Sequence, residues 1–331
     1  MINTKAVVNV LSALLIFLAI SLFFPAAFAY FYSEADLAAF LITIAIAFLL
    51  GLSGFLATRM QVELRIKDGF VIVTGGWLLF AIFGALPFYL SGFLPTYTDA
   101  FFETMSGFTT TGASILTDIE ALPHGLLFWR SFTHWLGGMG IILLSLAILP
   151  LLGVGGMQLF KAEVPGPTPD KLSPRIRETA KLLWAVYLLI TAVETLLLML
   201  AGMSVFDALC HTFGTVATGG FSTKNTSVGY YDSAAIDYII TIFMFIAGIN
   251  FALHYRALRG KPLYWKDSEF KFYLSLVAVA IAIVAIDLWQ RSDYDFFEIA
   301  QYTSFQVVSI LTTTGYGTAD YEQWGGLSQI V

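Results

Sequence analysis

The chain reads Thr109-Thr110-Thr111-Gly112-Ala113 after a long apolar stretch, and it repeats this pattern in Ala217-Thr218-Gly219-Gly220-Phe221 and Thr312-Thr313-Thr314-Gly315-Tyr316-Gly317. Each copy follows a short, half-polar segment, and the copies lie about 100 residues apart. Glycine reaches the positive-φ conformations that let successive backbone carbonyls face one way. Rings of such carbonyls replace the water around a cation. The recurrence therefore predicts that these three Thr/Gly turns are repeated walls of one pore.

The composition indicates a polytopic membrane protein. The 331 residues are 58% hydrophobic and 12% charged, with a mean hydropathy of +0.79, whereas about 25% of the residues in a soluble protein are charged. The net charge of −6 leaves no basic face for nucleic acid. A single cysteine, Cys210, excludes a disulfide within the chain, and we interpret it as a small packing residue.

Membrane-spanning helices need about 20 predominantly apolar residues. Seven segments meet this requirement: Val7–Phe31, Leu37–Ala57, Gly69–Leu94, Leu126–Leu152, Leu182–Met203, Ile236–Leu253 and Phe272–Leu288. The first is too long for a signal peptide and is interpreted as a retained helix. The segments contain few charged residues, and we expect most of these to lie near a span end, where a long side chain reaches the interface: Arg130, Glu194, Asp237 and Asp287.

The distribution of Lys and Arg predicts the orientation. Fourteen of the 17 basic residues lie at the N-terminus or in the loops after spans two, four and six. By the positive-inside rule, the N-terminus and these loops are cytoplasmic, and the three Thr/Gly turns lie on the outer side. Several acidic residues are predicted to lie on that outer side: Asp99, Asp118, Glu120, Asp232, Asp293, Asp295, Glu298, Asp320 and Glu322. They either concentrate cations at the entrance or simply belong to solvated loops.

The order of segments predicts a repeated architecture. Residues 1–66 form two N-terminal transmembrane helices, 67–165 a first pore repeat, 166–262 a second, and 263–331 an incomplete third. Within the repeats, Thr98–Phe108, Phe206–Val216 and Phe296–Leu311 are too short and polar to span a membrane. We interpret them as half-helices that dip in from outside, each with an acidic residue near its start. Three incomplete walls do not close a pore, so we expect a fragment of a longer protein.

Other polar and small residues favour structural roles. The histidines lack metal-ligand spacing, and His211 is expected to be hydrogen-bonded within the second half-helix. Gly137, Gly138 and Gly140 are interpreted as a packing surface or bend beside a half-helix, and Gly153-Val154-Gly155-Gly156 is not a nucleotide loop because no strand precedes it. Asn250 either forms an interhelical hydrogen bond, which we favour, or lines a cavity. The sequence contains no convincing set of nucleophile and base or of metal ligands, so we do not predict an enzyme.

Five segments together resemble the bacterial Trk/Ktr potassium-uptake family, and most closely its Trk-type membrane subunit: Phe108-Thr109-Thr110-Thr111-Gly112-Ala113-Ser114, Arg130-Ser131-Phe132-Thr133-His134-Trp135-Leu136-Gly137-Gly138-Met139-Gly140, Thr218-Gly219-Gly220-Phe221-Ser222-Thr223, Ile246-Ala247-Gly248-Ile249-Asn250-Phe251 and Thr313-Thr314-Gly315-Tyr316-Gly317. The resemblance covers essentially the whole chain, including the two extra N-terminal helices. It implies an all-α fold of helix–pore-loop–helix units around a pseudo-fourfold pore, truncated here before the fourth repeat.

The resemblance also implies a function. The chain is expected to take up K⁺ across the bacterial inner membrane as a channel-like transporter subunit, with no organic cofactor of its own. Gly112, Gly219 and Gly315 would be the filter glycines, and the filter would comprise Thr110, Thr111, Gly112, Thr218, Gly219, Thr313, Thr314 and Gly315. Implied partners are a second copy in a homodimer, cytoplasmic nucleotide-binding regulatory subunits and membrane lipid. The alternative is a secondary cation symporter with discontinuous helices, which usually has inverted repeats.

Overall fold

The computed structural model describes residues 2–58, 66–140 and 176–330, and these parts of the chain are helical without a strand. Their α-helices are α1 Thr4–Ser21, α2 Phe23–Phe31, α3 Leu37–Ala57, α4 Ile66–Gly84, α5 Leu86–Leu90, α6 Tyr97–Phe108, α7 His124–Trp135, α8 Ile176–Leu200, α9 Val205–Val216, α10 Ala234–Ala247, α11 Phe251–Leu258, α12 Ser268–Arg291, α13 Phe296–Leu311 and α14 Gly326–Ile330. A π-helical turn covers Leu136–Gly140, and short 3₁₀ turns cover Ser227–Tyr231, Tyr264–Lys266 and Tyr321–Gln323.

The described residues contain five helical segments long and apolar enough to cross a membrane: Thr4–Phe31, Leu37–Ala57, Lys67–Leu90, Lys181–Leu200 and Ser268–Arg291. All five coincide with predicted spans. The predicted span Leu126–Leu152 begins as α7 and the π turn, and its remainder lies outside the described residues, as do Arg59, Arg65 and the Gly153–Gly156 run.

The sixth predicted span, Ile236–Leu253, is wrong as a straight helix. Helices α10 and α11 are bent by 100° relative to each other at a short break. At this break Asn250 accepts a hydrogen bond from the backbone N–H of Ala252 at 3.0 Å and caps α11. The favoured interhelical role of Asn250 is therefore corrected to a local one, because an asparagine that satisfies free N–H groups starts a new helix.

The chain divides into two compact units, of which the first comprises Met1–Thr109 and Ala113–Trp184. Within it, α1 and α3 approach closely at two glycines of α3. A Cβ atom on Gly51 would lie 2.8 Å from Cγ1 of Ile16, and one on Gly54 would collide with the Ser12 hydroxyl. Small residues at such contacts let membrane helices pack tightly. Half-helix one, which is α6, packs against α4 and α7 in the same unit.

An acidic turn between α2 and α3 contacts the start of α7, also in the first unit. Glu34 accepts a hydrogen bond from the backbone N–H of His124 at 2.7 Å and pairs with the His124 ring at 2.8 Å. Asp36 is fully buried nearby. Its carboxylate lies so close to Gly125 that a Cβ atom on Gly125 would collide with it. Burial, and then the neighbouring Glu34 carboxylate, raise the pKa of Asp36 to about 6.

The second unit comprises Thr110–Gly112 and Ala185–Val331. Its core contains buried apolar side chains from α8, α10, α12 and α13, including Leu198, Met244, Val277 and Phe305, together with Tyr316 from the third Thr/Gly turn. Half-helices two and three, which are α9 and α13, belong to this unit. The third Thr/Gly turn therefore lies against the hydrophobic core of the unit.

The charged residues of the predicted spans are all buried: Arg130, Glu194, Asp237 and Asp287. Asp237 and Asp287 lie near the ends of α10 and α12, as predicted, but their burial corrects the expectation that such side chains reach the interface. Arg130 and Glu103 are 2% and 1% exposed, and the Arg130 Nε atom lies 2.6 Å from the Glu103 Oε1 atom. Asp237 accepts a hydrogen bond from Gln301 at 2.7 Å, and Asp287 accepts one from Ser328 at 2.6 Å. Arg130, Asp237 and Asp287 thus have polar partners within the protein, as buried charges require.

Candidate functional site

The three half-helices form where the sequence predicts them: at Tyr97–Phe108, Val205–Val216 and Phe296–Leu311. Each begins at an N-cap side chain that accepts a hydrogen bond from a backbone N–H: Thr96 from Asp99, Ser204 from Asp207, and Asp295 from Glu298. Hydroxyl and carboxylate groups satisfy the free N–H groups of a helix start. The first turn of each half-helix carries an acidic residue, as predicted, where it complements the helix dipole.

Each half-helix ends directly in a Thr/Gly turn with one shared backbone pattern. A threonine adopts the left-handed conformation, with φ of 53° at Thr110, 52° at Thr218 and 59° at Thr313. Two residues later a glycine also has positive φ, namely 76° at Gly112, 78° at Gly220 and 83° at Gly315. Left-handed backbone is unfavourable for a residue with a Cβ atom. Its appearance at the same place in three turns shows that the turns are structurally equivalent.

The equivalence predicted for Gly219 is wrong by one residue. Gly220, not Gly219, matches Gly112 and Gly315 in φ. The hydrogen bonds agree, because the Gly219 N–H donates to the Gly214 carbonyl at 2.8 Å just as the Thr314 N–H donates to the Ser309 carbonyl at 2.8 Å. Gly219 therefore occupies the place of Thr111 and Thr314.

The three turns lie side by side within the second unit. A Cβ atom on Gly112 would collide with the backbone oxygen of Gly219 and would lie 3.8 Å from that of Thr314. A Cβ atom on Gly220 would likewise collide with the Thr314 oxygen. Gly112 and Gly220 thus each face the carbonyl that precedes the glycine of the next turn. For Gly315, no described atom lies within 4 Å of the same position.

Threonine hydroxyls fix the shape of the turns, as the sequence predicts. The Thr109 and Thr312 hydroxyls each donate to a carbonyl of their own half-helix, Met105 at 2.8 Å and Val308 at 2.7 Å. In the third turn the Thr312 and Thr314 hydroxyls are also 2.7 Å apart. These bonds hold the start of the first and third turns to the last turn of their half-helices. Ala217 replaces the hydroxyl in the second turn, so that turn is held differently.

Tyr316 joins the second and third turns and was missed by sequence reasoning. Its buried hydroxyl donates to the backbone oxygens of His211 at 2.9 Å and Phe221 at 3.2 Å. The Tyr316 carbonyl accepts from the Ser309 hydroxyl at 2.7 Å. The available signal was an aromatic residue with a hydroxyl directly after Gly315, where the other turns have Ala113 and Phe221. Tyr316 thus fixes the third turn both to its own half-helix and to its neighbour.

Two further expectations are confirmed by contacts. The His211 ring lies 2.8 Å from the Asp207 carbonyl and 2.9 Å from the Ser222 hydroxyl, so this histidine is hydrogen-bonded. Gly137 packs against half-helix one, because a Cβ atom there would collide with the backbone oxygen of Phe108. Gly137 lies in the π-helical turn that follows α7, and this turn is therefore beside the half-helix.

Comparison with known proteins gives concordant matches. The family model described as "TrkH: Cation transport protein" matches residues 36–331. "Trk system potassium uptake protein TrkH" of Halomonas elongata is 42% identical over 98% of this chain and 68% of its own length. The protein of that name from Escherichia coli strain K12 is 43% identical over 97% and 68%. The crystal structure of the potassium transporter TrkH from Vibrio parahaemolyticus superposes with a TM-score of 0.86 at 36% identity, covering 98% of this chain and 68% of that chain.

Proposed function

Because the chain belongs to the TrkH family of cation transport proteins, we propose that it takes up potassium across a bacterial inner membrane through a filter formed by its Thr/Gly turns. The observation that carries this proposal is the approach of neighbouring turns, in which the glycine of one turn faces the carbonyl of the next. A shared left-handed backbone gives each turn the same local conformation. Backbone oxygens presented in this way replace water around a dehydrated K⁺ ion.

The filter comprises the residues predicted from the sequence, with one change. Thr110, Thr218 and Thr313 start the turns, and Gly219 and Thr314 supply the facing carbonyls, with Thr111 at the corresponding place in the first turn. Gly112, Gly220 and Gly315 are the positive-φ glycines. The carboxyl ends of the three half-helices lead into these turns, and their partial negative charge favours a cation.

The membrane arrangement follows from the charge distribution. With its N-terminus and basic loops in the cytoplasm, the chain presents all three turns to the outer side. The close approach of the three turns and their common outer side, inferred from the basic loops, favour a channel-like filter over an inverted-repeat symporter. The four-part organisation with boundaries after residues 66, 165 and 262, a homodimer and cytoplasmic nucleotide-binding regulatory subunits are part of the same proposal.

The test replaces filter glycines and measures selectivity. Gly112→Ser and Gly315→Ser in the full-length protein are expected to raise Na⁺ uptake relative to Rb⁺ uptake in cells that lack other potassium-uptake systems. Gly92→Ser is the matched control for left-handed strain, because Gly92 also has a positive φ of 79° but lies outside the Thr/Gly turns. An unchanged Rb⁺/Na⁺ ratio in both filter variants, at normal protein levels, would reject the filter assignment.

A further inference from the structure

A polar residue occupies the same position in all three half-helices, seven residues before the left-handed threonine of the following turn. The residues are Glu103, His211 and Gln306. They are almost completely buried, at 1%, 0% and 2% exposure. Burying polar groups without hydrogen bonds is unfavourable. Their contacts therefore indicate why three chemically different polar side chains occupy equivalent buried positions.

Glu103 holds the segment that leaves the first turn. Its carboxylate accepts hydrogen bonds from the Ser114 hydroxyl at 2.9 Å and from the Ile115 N–H at 3.0 Å. Arg130 in turn holds the carboxylate, with its Nε atom 2.6 Å away. The Ser114 oxygen also accepts from the Leu116 N–H at 3.1 Å, which shapes the segment locally. The exit from the first turn is thereby tied to the middle of its own half-helix.

His211 makes the corresponding contact behind the second turn. Its Nδ1 atom lies 2.8 Å from the Asp207 carbonyl, which only accepts, so Nδ1 is the donor. Nε2 is consequently the acceptor for the Ser222 hydroxyl at 2.9 Å. Ser222 matches Ser114 in a second respect, because its oxygen accepts from the Lys224 N–H at 3.0 Å. A serine in the same position thus donates its hydroxyl to a carboxylate in the first repeat and to an imidazole in the second.

Gln306 makes the contact behind the third turn, where Gly317 replaces the serine. A glutamine amide is oriented from its hydrogen-bond partners. When its amide oxygen is placed toward the segment after the third turn, Gln306 accepts hydrogen bonds from the Thr318 N–H at 2.9 Å and the Ala319 N–H at 3.2 Å. Thr318 follows the left-handed threonine at the same distance along the chain as Ile115 does in the first turn. Without a serine, the side chain bonds the backbone directly.

We propose that Glu103, His211 and Gln306 are positioning residues, whose acceptor atoms hold the outward segments of the three Thr/Gly turns and so maintain ion selectivity. This proposal rests on the proposed function of the turns as a potassium filter. Each residue presents an acceptor from the half-helix to donors on the segment after the turn. The chemistry differs among the repeats, but the direction of the hydrogen bond is the same. Loss of the acceptor frees one end of the turn while leaving its filter residues intact.

The experiment compares removal and retention of the acceptor in the full-length protein. Gln306→Met removes it, and Gln306→Glu retains an oxygen at the same place. We expect Gln306→Met to lower the Rb⁺/Na⁺ uptake ratio by about threefold to tenfold, the effect of losing one or two hydrogen bonds, while Gln306→Glu restores most of the ratio. Thr303→Val is the control, because this buried hydroxyl donates only within its own helix, to Ile299 at 2.6 Å.

A second pair keeps the proposal falsifiable if Gln306→Met fails to fold. Ser222→Ala and His211→Phe remove the two ends of one hydrogen bond, so their effects on the ratio should be strongly non-additive in the double variant. The positioning role would be overturned if the acceptor variants changed only the amount of protein or gave the same uptake ratio as Thr303→Val. It would also be overturned if the effects of Ser222→Ala and His211→Phe were additive. If Gly112→Ser and Gly315→Ser also leave the ratio unchanged, the filter itself is rejected; if only the acceptor variants leave it unchanged, the positioning proposal alone fails.

Discussion

Gly220→Ala should damage the filter far more than the same change at its neighbour Gly219. Gly220 has φ of 78°, and its Cβ atom would collide with the backbone oxygen of Thr314. Left-handed backbone costs about 1–2 kcal/mol for a residue with a Cβ atom, and forcing extra volume into a packed site costs about 1–3 kcal/mol more. The sum, about 2–5 kcal/mol, corresponds to a roughly 30-fold or greater loss of the intact turn at 1.4 kcal/mol per tenfold.

The comparison with Gly219 makes this a test of the register. Gly219 has no positive φ and occupies the place held by threonine in the other turns, so Gly219→Ala should cost less than about 1 kcal/mol. Gly202→Ala controls for left-handed strain alone, because its φ is 106° and no described atom lies within 4 Å of its Cβ position.

The assay is Rb⁺ uptake, with Na⁺ as competitor, in cells lacking other potassium-uptake systems, normalised to the amount of protein in the membrane. Gly220→Ala is expected to lose uptake or selectivity, while Gly219→Ala and Gly202→Ala remain close to the parent protein. Greater damage from Gly219→Ala than from Gly220→Ala would refute the register drawn from the backbone.

Two other predictions concern stability in detergent. Asp36 has a folded-state pKa of about 6, above its ordinary value of 3.8. Its contribution to stability is therefore present at low pH and is lost as the pH rises through about 6. Asp36→Asn should raise the melting temperature at pH 8 and not at pH 4, and an equal shift at both pH values would contradict this origin. Tyr316→Phe removes a buried hydroxyl that donates to two carbonyls and should lower stability by about 1–3 kcal/mol; no change in the thermal melt would show that these bonds are unimportant.

The half-helices could be predicted almost to the residue because their boundaries carry local chemical signals. Thr98–Phe108 was predicted and Tyr97–Phe108 is observed, and Phe296–Leu311 is observed as predicted. A capping hydroxyl or carboxylate marks each start, an acidic residue stabilises the first turn, and threonine and glycine mark the end. The long spans were predictable for a different reason, since their apolar length alone identifies them.

The filter register could not be read from the sequence because Gly219 and Gly220 are adjacent and neither has a side chain that marks its backbone conformation. Only φ distinguishes them. The bend before Phe251 was missed because the segment remains apolar through the break, so hydropathy does not report it. The burial of Arg130 was missed since its partner Glu103 lies 27 residues away on another helix. Long-range pairing of this kind depends on the packed fold.

A single polypeptide carries all three buried acceptors, and this has an evolutionary consequence. In a channel assembled from four copies of one short chain, a single mutation changes all four sides of the pore at once. Here a carboxylate, an imidazole and an amide occupy corresponding places in three half-helices. In the proposed filter, natural variation can therefore adjust the rigidity of one turn while the others stay constant, so that ion preference evolves in small, separately heritable steps.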